Sequence, residues 1–451
     1  MTPAALERPS ERPSERRREQ RGWYFYDFAN SAFASTVLTL FLGPYLTALA
    51  KAGAASDGLI HLMGVGIEPR SFWSYCISAS VIGQVLLLPM VGAIADYGHR
   101  KKQLLGLFAY LGAGATMAMY FLEGLRYVAG GLLFILANMA FGSANIIYNS
   151  FLNDIATPEE RDTVSSRGWG LGYLGGGLVL VLNLLLYQNA ASFGISEGMA
   201  VRISLSSAGL WWAVWALIPL RVLRNRAPQR VLAPGQNLLA VGMGQLLHTV
   251  RDLRLYPETL KFLLAYLLYN DAVQSIIALA GQFGSDELGI KMGTLTLAIL
   301  MVQFVAFGGA MAFNQLAQRI TARKAILFAL VIWTGVLIYA YGFVRSTAEF
   351  FVLSGLVGFV MGGTQALSRS TYSLMIPKGR EAEYFALYEV SDRGTSWIGP
   401  LVFGLAMQFT HSYRVSILSL IVFFIAGFAI LWQVNVKRAY QEAQGCPEAQ
   451  G

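Results

Sequence analysis

Charge is what this sequence has least of. Only 13% of its 451 residues are Asp, Glu, Lys or Arg, and 55% are hydrophobic, whereas a soluble domain carries about a quarter charged residues. That excludes an ordinary water-soluble globule and makes lipid the main solvent. Cysteine is scarce as well: Cys76 sits in an apolar run and Cys446 in a polar tail, which offers neither a disulfide framework nor a metal-ligand set. No glycine-rich loop joins a strand pattern to a soluble helix, and no nucleophile elbow occurs. No cofactor, no metal and no enzymatic catalysis are therefore expected, and a driving force has to come from a gradient. The first 21 residues lack the apolar core of a cleavable signal, so the first span is expected to insert uncleaved. The formal charge of +8 does not indicate nucleic acid, because the basic residues lie in short loops between apolar runs.

What is present is a succession of apolar runs. At about 20 residues per crossing there is room for about twelve spans. They fall near 23–50, 72–95, 102–122, 128–153, 166–188, 204–223, 258–283, 292–316, 324–344, 349–375, 382–408 and 413–435. Lys and Arg outside them divide about 25 to about seven between the two sides, which expects both termini and the long central loop in the cytoplasm of a cell inner membrane. The expected organisation is a basic tail at 1–22, a six-helix half at 23–223, a linker at 224–257, a second half at 258–435 and a tail at 436–451. In the linker, Leu239, Met243, Leu246, Leu247, Val250 and Leu253 recur at helical spacing, as in a helix lying on the inner leaflet.

An internal repeat supports two halves. GAIADYGHRKK at Gly92–Lys102 is echoed about 222 residues later by FNQLAQRITARK at Phe313–Lys324, with Gln318 in place of Asp96. ATPEERD and MIPKGRE share Pro-x-x-Arg-acid at an offset of about 219, which places Arg161 and Arg380 in corresponding loops. Six helices per copy leave the two copies in the same orientation, a parallel repeat.

The order in Gly92–Lys102 resembles the loop between the second and third helices of the major facilitator superfamily. WYFYDFANSAF (23–33), RGWGLGYLGG (167–176), YNDAVQS (269–275) and IPKGREAEYFALYEVSDR (376–393) resemble its branch of autophagy-related vacuolar amino-acid effluxers and their bacterial relatives. The resemblance implies an all-α integral membrane fold of twelve helices in two parallel six-helix repeats. It also implies efflux of amino acids or similar solutes, and a gate role for Asp96 and Arg100. The loss of the acid at Gln318 puts the symmetry of the two latches in question.

Ionisable groups inside spans are costly and mark function or fixed pairs. At about 1.5 Å per residue, Asp271 lies near the midplane and Asp392 and Arg393 nearly as deep. Arg369 and Glu389 lie closer to the cytoplasmic boundary. Depth matching expects Arg369 with Glu389, and Arg393 with Asp271 or Asp392. In the functional reading Asp271 exchanges a proton or meets an ammonium and Arg393 clasps a carboxylate, whereas Asp27, Arg369 and Glu389 belong to a gate. Asn138, Asn145, Asn149 and Asn153 share one face of the fourth span. Tyr266, Asn270 and Gln274, beside Tyr269, do so in the seventh, and Gln365, Arg369 and Tyr372 in the tenth. These stripes line either a watery cavity or a helix contact. The glycines at 168, 170, 172, 175, 176 and 177, with Gly308 and Gly309, are expected to pack the interface between halves.

The expected function is secondary transport of a small polar solute, an amino acid leaving the cell, by alternating access. The partners are that solute, a proton or other ion gradient and the bilayer, and the working form is a monomer. Proton-linked transport of a sugar or nucleoside is the alternative, and a non-transporting receptor or scaffold a third.

Overall fold

A computed structural model describes residues 13–62, 64–67, 69, 72–227, 251–290, 292–394, 398–410 and 412–445. The linker helix expected around Leu239–Val250 lies outside the described residues, as do the side chains of Asp392 and Arg393.

The protein is a bundle of long helices. They are α1 (Pro13–Ala52), α2 (Phe72–Tyr97), α3 (Lys101–Ala118), α4 (Tyr127–Ser150), α5 (Arg161–Gln188), α6 (Glu197–Val222), α7 (Pro257–Gln282), α8 (Met292–Ile320), α9 (Ala322–Gly342) and α10 (Thr347–Leu374). There follow α11 (Glu381–Gly394), α12 (Ile398–Thr410), α13 (Tyr413–Gln433) and α14 (Val436–Gly445). Among the described residues, 10 helices are long and apolar enough to cross a membrane. In addition, α7 and the succession α11–α12 occupy the places of the seventh and eleventh expected spans. A small antiparallel hairpin, Ile60–Leu62 with Val65–Ile67, follows α1.

Apolar side chains point outward along the bundle: Leu86, Leu182 and Val422 are all more than half exposed, as lipid-facing residues are. Inside, large aromatic side chains such as Trp23, Tyr148, Trp212, Tyr269 and Tyr372 are fully buried.

Helix α1 is described from Pro13, ahead of the span expected from 23, and polar contacts hold its early turns. Arg16 pairs with Glu160 at 3.1 Å, Gln20 donates to the Ile155 carbonyl at 2.9 Å, and Glu19 pairs with Arg226 at 2.7 Å. A stretch of π-helix, Phe33–Phe41, interrupts α1. At the other end of the chain, Glu258 accepts the Asn435 amide at 2.7 Å. Thr259, one residue on, donates to the carbonyl of Met375, in the loop before α11. Arg161, beside Glu160, donates to the Ser373 carbonyl near Met375, so the start of α1 and the end of α13 share one end of the bundle.

The glycine stripe of α5 divides between two contacts, and the interface between halves takes only part of it. Gly168, Gly172 and Gly175 bring α5 onto Asp27, Ser31 and Phe28 of α1, inside the first half. Gly170 and Gly177 face Met311, Phe307 and Phe304 of α8, across the halves. Gly309 packs on the Phe359 carbonyl of α10, within the second half, and Gly308 faces open space. Sequence spacing showed that these positions are small; which helix fills each gap depends on the packing angle.

Candidate functional site

At the end of the bundle where α1 is first described and α13 ends, Arg369 of α10 reaches across into the first half. Its Nη1 and Nη2 each donate to Asp27 Oδ2 at 3.1 Å. Nε donates to Ser165 Oγ and Nη2 to the Ser165 carbonyl, both at 2.9 Å, while Nη1 also approaches Asn149 Oδ1 at 3.4 Å. All of these acceptors belong to α1, α4 or α5. The rings of Trp23, Tyr148 and Trp169 surround the guanidinium with centroids at 4.9, 5.7 and 5.1 Å, distances at which a cation is attracted by the ring faces. Tyr148 donates to the same Asp27 oxygen at 2.7 Å, and Trp23 stacks on Tyr148 while donating to its carbonyl.

This corrects the depth-matched pairing: Arg369 binds Asp27, not Glu389. Depth gave the height of each charge but not the direction in which it points. Glu389 instead accepts from Asn149 Nδ2 at 3.2 Å, so Asn149 touches both charges. All the Arg369 donors are thus engaged by residues of the first half.

Further bridges lie at the same end, some between halves and some within one. Asp96 of α2 accepts the amides of Ala382 and Glu383, in the first turn of α11, at 2.9 and 2.8 Å. A carboxylate there satisfies free helical N–H groups and meets the positive end of the helix dipole. Gly92 is what permits the approach, since a Cβ there would lie 2.8 Å from the Ala382 carbonyl oxygen. Arg161 donates to the Ser373 carbonyl at 2.5 Å and Ser370 to Asp162 at 2.6 Å. Arg380 binds Glu383 and, at 2.8 Å, Asp252. Burial acts to lower the Arg380 pKa, but Glu383 and Asp252 outweigh it and raise the pKa. Lys101 pairs with Asp154 at 3.1 Å. Arg100 is exposed at the start of α3 and makes no side-chain bridge among the described residues. In the repeated copy, Gln318 donates to Thr163 Oγ1 at 3.0 Å, and that hydroxyl donates to Asn314 at 3.3 Å.

Deeper in the bundle the expected residues scatter. Asp271 is 2% exposed; its Oδ2 accepts the Gly399 amide in the first turn of α12 at 2.6 Å, and its Oδ1 has no hydrogen-bond partner among the described residues. Tyr269 bonds Ser368 at 2.7 Å and packs by Gly427, which makes it a helix contact. Asn270 is buried and Gln274 half-buried. Asn145 pairs with Asn30 at 2.8 Å and Asn138 with Ser80 at 2.8 Å, so the asparagine stripe of α4 largely serves contacts between helices. Gln365 accepts from Tyr173 across the halves. Tyr266, Tyr388 and Tyr372 form a stack with centroid spacings of 4.2 and 5.1 Å. Sequence reasoning missed Ser165, Tyr148 and the Trp23–Trp169 cage as partners of Arg369. Trp23 and Trp169 stand in the motifs that carried the resemblance, but convergence on one guanidinium has no linear signal.

Long apolar helices in this order make a multi-pass membrane protein with the major facilitator fold. A bacterial homologue of the iron transporter ferroportin, in an outward-facing state, shares the fold with a TM-score of 0.66 at 16% identity, over 93% of this chain and 98% of that one. The fucose:proton symporter of E. coli does so with a TM-score of 0.68 at 12% identity, over 94% and 99%. The chain belongs to the family described as vacuole effluxer Atg22 like, whose model matches residues 15–444. An uncharacterised MFS-type transporter of Bacillus subtilis, YxiO, is 30% identical over 92% of this chain and 94% of its own. Autophagy-related protein 22 of Saccharomyces cerevisiae is 28% identical over 94% and 93%.

Proposed function

We propose that the protein exports a small zwitterionic solute, an amino acid, by alternating access between halves formed by residues 23–223 and 258–435, with both termini cytoplasmic. The observation that carries this reading is the enclosure of Arg369 by residues of the opposite half, since a contact of that kind is broken and remade when a central site changes sides. Asp27, Asp96, Arg161, Arg369, Arg380 and Glu389 act in the gate. Asp271 is the coupling carboxylate: it is buried, and one oxygen is left without a partner among the described residues, free to take a proton or an ammonium. Arg393, at the end of α11, is the proposed ligand of the solute carboxylate. A proton gradient supplies the energy, and the monomer is the working unit.

The test is flux into proteoliposomes across a panel of amino acids, with and without a proton gradient, for the native chain and Asp271→Asn. Uptake that follows the gradient in the native chain and ignores it in Asp271→Asn supports the reading. Absence of flux for every amino acid removes the solute class, and gradient-insensitive flux in the native chain removes the coupling role. Arg393→Gln separates a carboxylate solute, whose binding is lost, from a neutral one, whose binding is kept.

A further inference from the structure

The second half encloses a cavity of about 150 Å³. Its walls come from five helices, with Ile276 of α7, Ala298 of α8, Leu337 of α9, Leu353 of α10 and Leu420 of α13 among them, and among the described residues only Thr39 of α1 lines it from the first half. Leu353 stands 16 residues before Arg369 on α10, about 24 Å along the helix, so the cavity lies toward the opposite end of the bundle from that ion pair.

The far end of the cavity is closed and braced. There α7 runs into a π-helical turn, Phe283–Glu287, and Phe283, 1% exposed, lines the space. Gly284 lets that turn sit against Leu295 and Phe350, where a Cβ would meet them at 2.5 and 3.1 Å. Glu287 accepts from Arg414 Nε at 2.6 Å, and the other two guanidinium nitrogens donate to the carbonyls of Tyr341 and Val344 at 3.1 and 2.6 Å. One guanidinium therefore ties the ends of α7 and α9 to the start of α13, which keeps the walls from closing on the space.

No charged side chain lines the cavity among the described residues, and its polar ones are Thr39, Gln303 and Ser354. Thr39 Oγ1 donates to the Ala34 carbonyl at 2.9 Å and Ser354 Oγ to the Phe350 carbonyl at 2.8 Å, so both hydroxyl protons are already used. Gln303 is half-buried at the seam with α5, where Gly177 faces it, away from the apolar walls that α9 and α13 supply. A buried water needs about two to four polar partners, and apolar cavities of about this size stay dry and take up benzene or xenon. Left empty, the walls forfeit dispersion contacts that an occupant of matching shape restores.

We propose that this cavity is a binding site for an uncharged apolar molecule with the bulk of a single aromatic ring. It excludes a zwitterion, whose charges would find no partner there. The site stands on its volume and lining and does not depend on the transport reading.

The test uses the full chain in lipid nanodiscs, with a phenyl diazirine as photoreactive probe. Leu337, Leu353 and Leu420 are all less than a tenth exposed, so label found on them reports the cavity and not the lipid. Labelling there saturates with probe concentration and falls about tenfold when toluene is present at about ten times its dissociation constant. Phenylalanine, the same ring carrying a zwitterion, leaves it unchanged. On the outward-facing Leu86 and Leu182, label rises in proportion to probe and neither compound competes. Ala298→Leu and Ala340→Leu fill the space from two different helices. Each abolishes the saturable label and melts no lower than the native chain, and toluene, which raises the native melting temperature, no longer does so in either. Absent or unsaturable label at the three buried positions, protection by phenylalanine equal to that by toluene, or a lowered melting temperature in both filled variants overturns the site.

Discussion

Arg369 of α10 and Asp27 of α1 meet across the two halves through a single carboxylate oxygen, which takes both terminal guanidinium nitrogens at 3.1 Å. Both residues are less than a tenth exposed. An ion pair so placed holds one conformation rather than simply adding stability, because its cost of desolvation offsets much of its attraction.

Removing one partner should be costly. Arg369→Gln leaves the Asp27 carboxylate buried against Tyr148, and the closed arrangement loses about 3–5 kcal/mol. The double variant Asp27→Asn with Arg369→Gln loses much less than the sum of the singles, since no buried charge is stranded. Thermal unfolding of the four purified proteins measures the cycle; additive losses would mean that the pair is not coupled.

Tyr148→Phe keeps the stack on Trp23 and deletes only the hydroxyl that donates to Asp27 at 2.7 Å. A hydrogen bond to a charged group is worth about 1.5–3 kcal/mol, and that loss should shrink once Asp27 is already Asn. Chemical unfolding in both backgrounds checks this.

Two glycine substitutions should act in opposite directions. At Gly168 a Cβ would come within 2.7 Å of the Trp23 ring and 2.8 Å of Asp27 Oδ2, so Gly168→Ala crowds the lock and costs about 1–3 kcal/mol. At Gly308 nothing lies within 4 Å, so Gly308→Ala is neutral or gains up to about 1 kcal/mol from helix entropy. Melting temperatures of the two variants decide, and a destabilised Gly308→Ala would contradict the packing described.

Asp96→Asn weakens the cap on α11 by about 0.5–2 kcal/mol, the range of a helix capping interaction. Gln318→Ala, which removes one neutral bond to Thr163, should change less. Labelling of a cysteine placed behind the gate, in the background without native cysteines, compares the two. Faster labelling in Gln318→Ala than in Asp96→Asn would reverse the ranking.

Much of the fold was legible in the chain because lipid imposes a linear rule: each crossing needs about 20 apolar residues. For Asp96 the resemblance named a gate role, but that it accepts the amides of Ala382 and Glu383 was decided by packing. Nor was the partner of Arg369 legible. Rise along a helix gave its depth and matched it to Glu389, but azimuth and helix crossing turned it toward Asp27, through space that Gly168 leaves empty. The asparagines of α4 show the same limit: their spacing put them on one face, and only the neighbours Asn30, Ser80 and Glu389 told what that face meets.

The sequence by itself determined the membrane class, the succession of apolar spans and the parallel repeat, all properties of composition and period along one dimension. Tertiary structure alone decided that Arg369 closes on Asp27 inside an aromatic cage, and that the two repeats are sewn by different bonds. Those outcomes depend on how helices rotate and cross, and pairs such as Asp27 and Arg369, 342 residues apart, carry no mark of one another until the helices have packed.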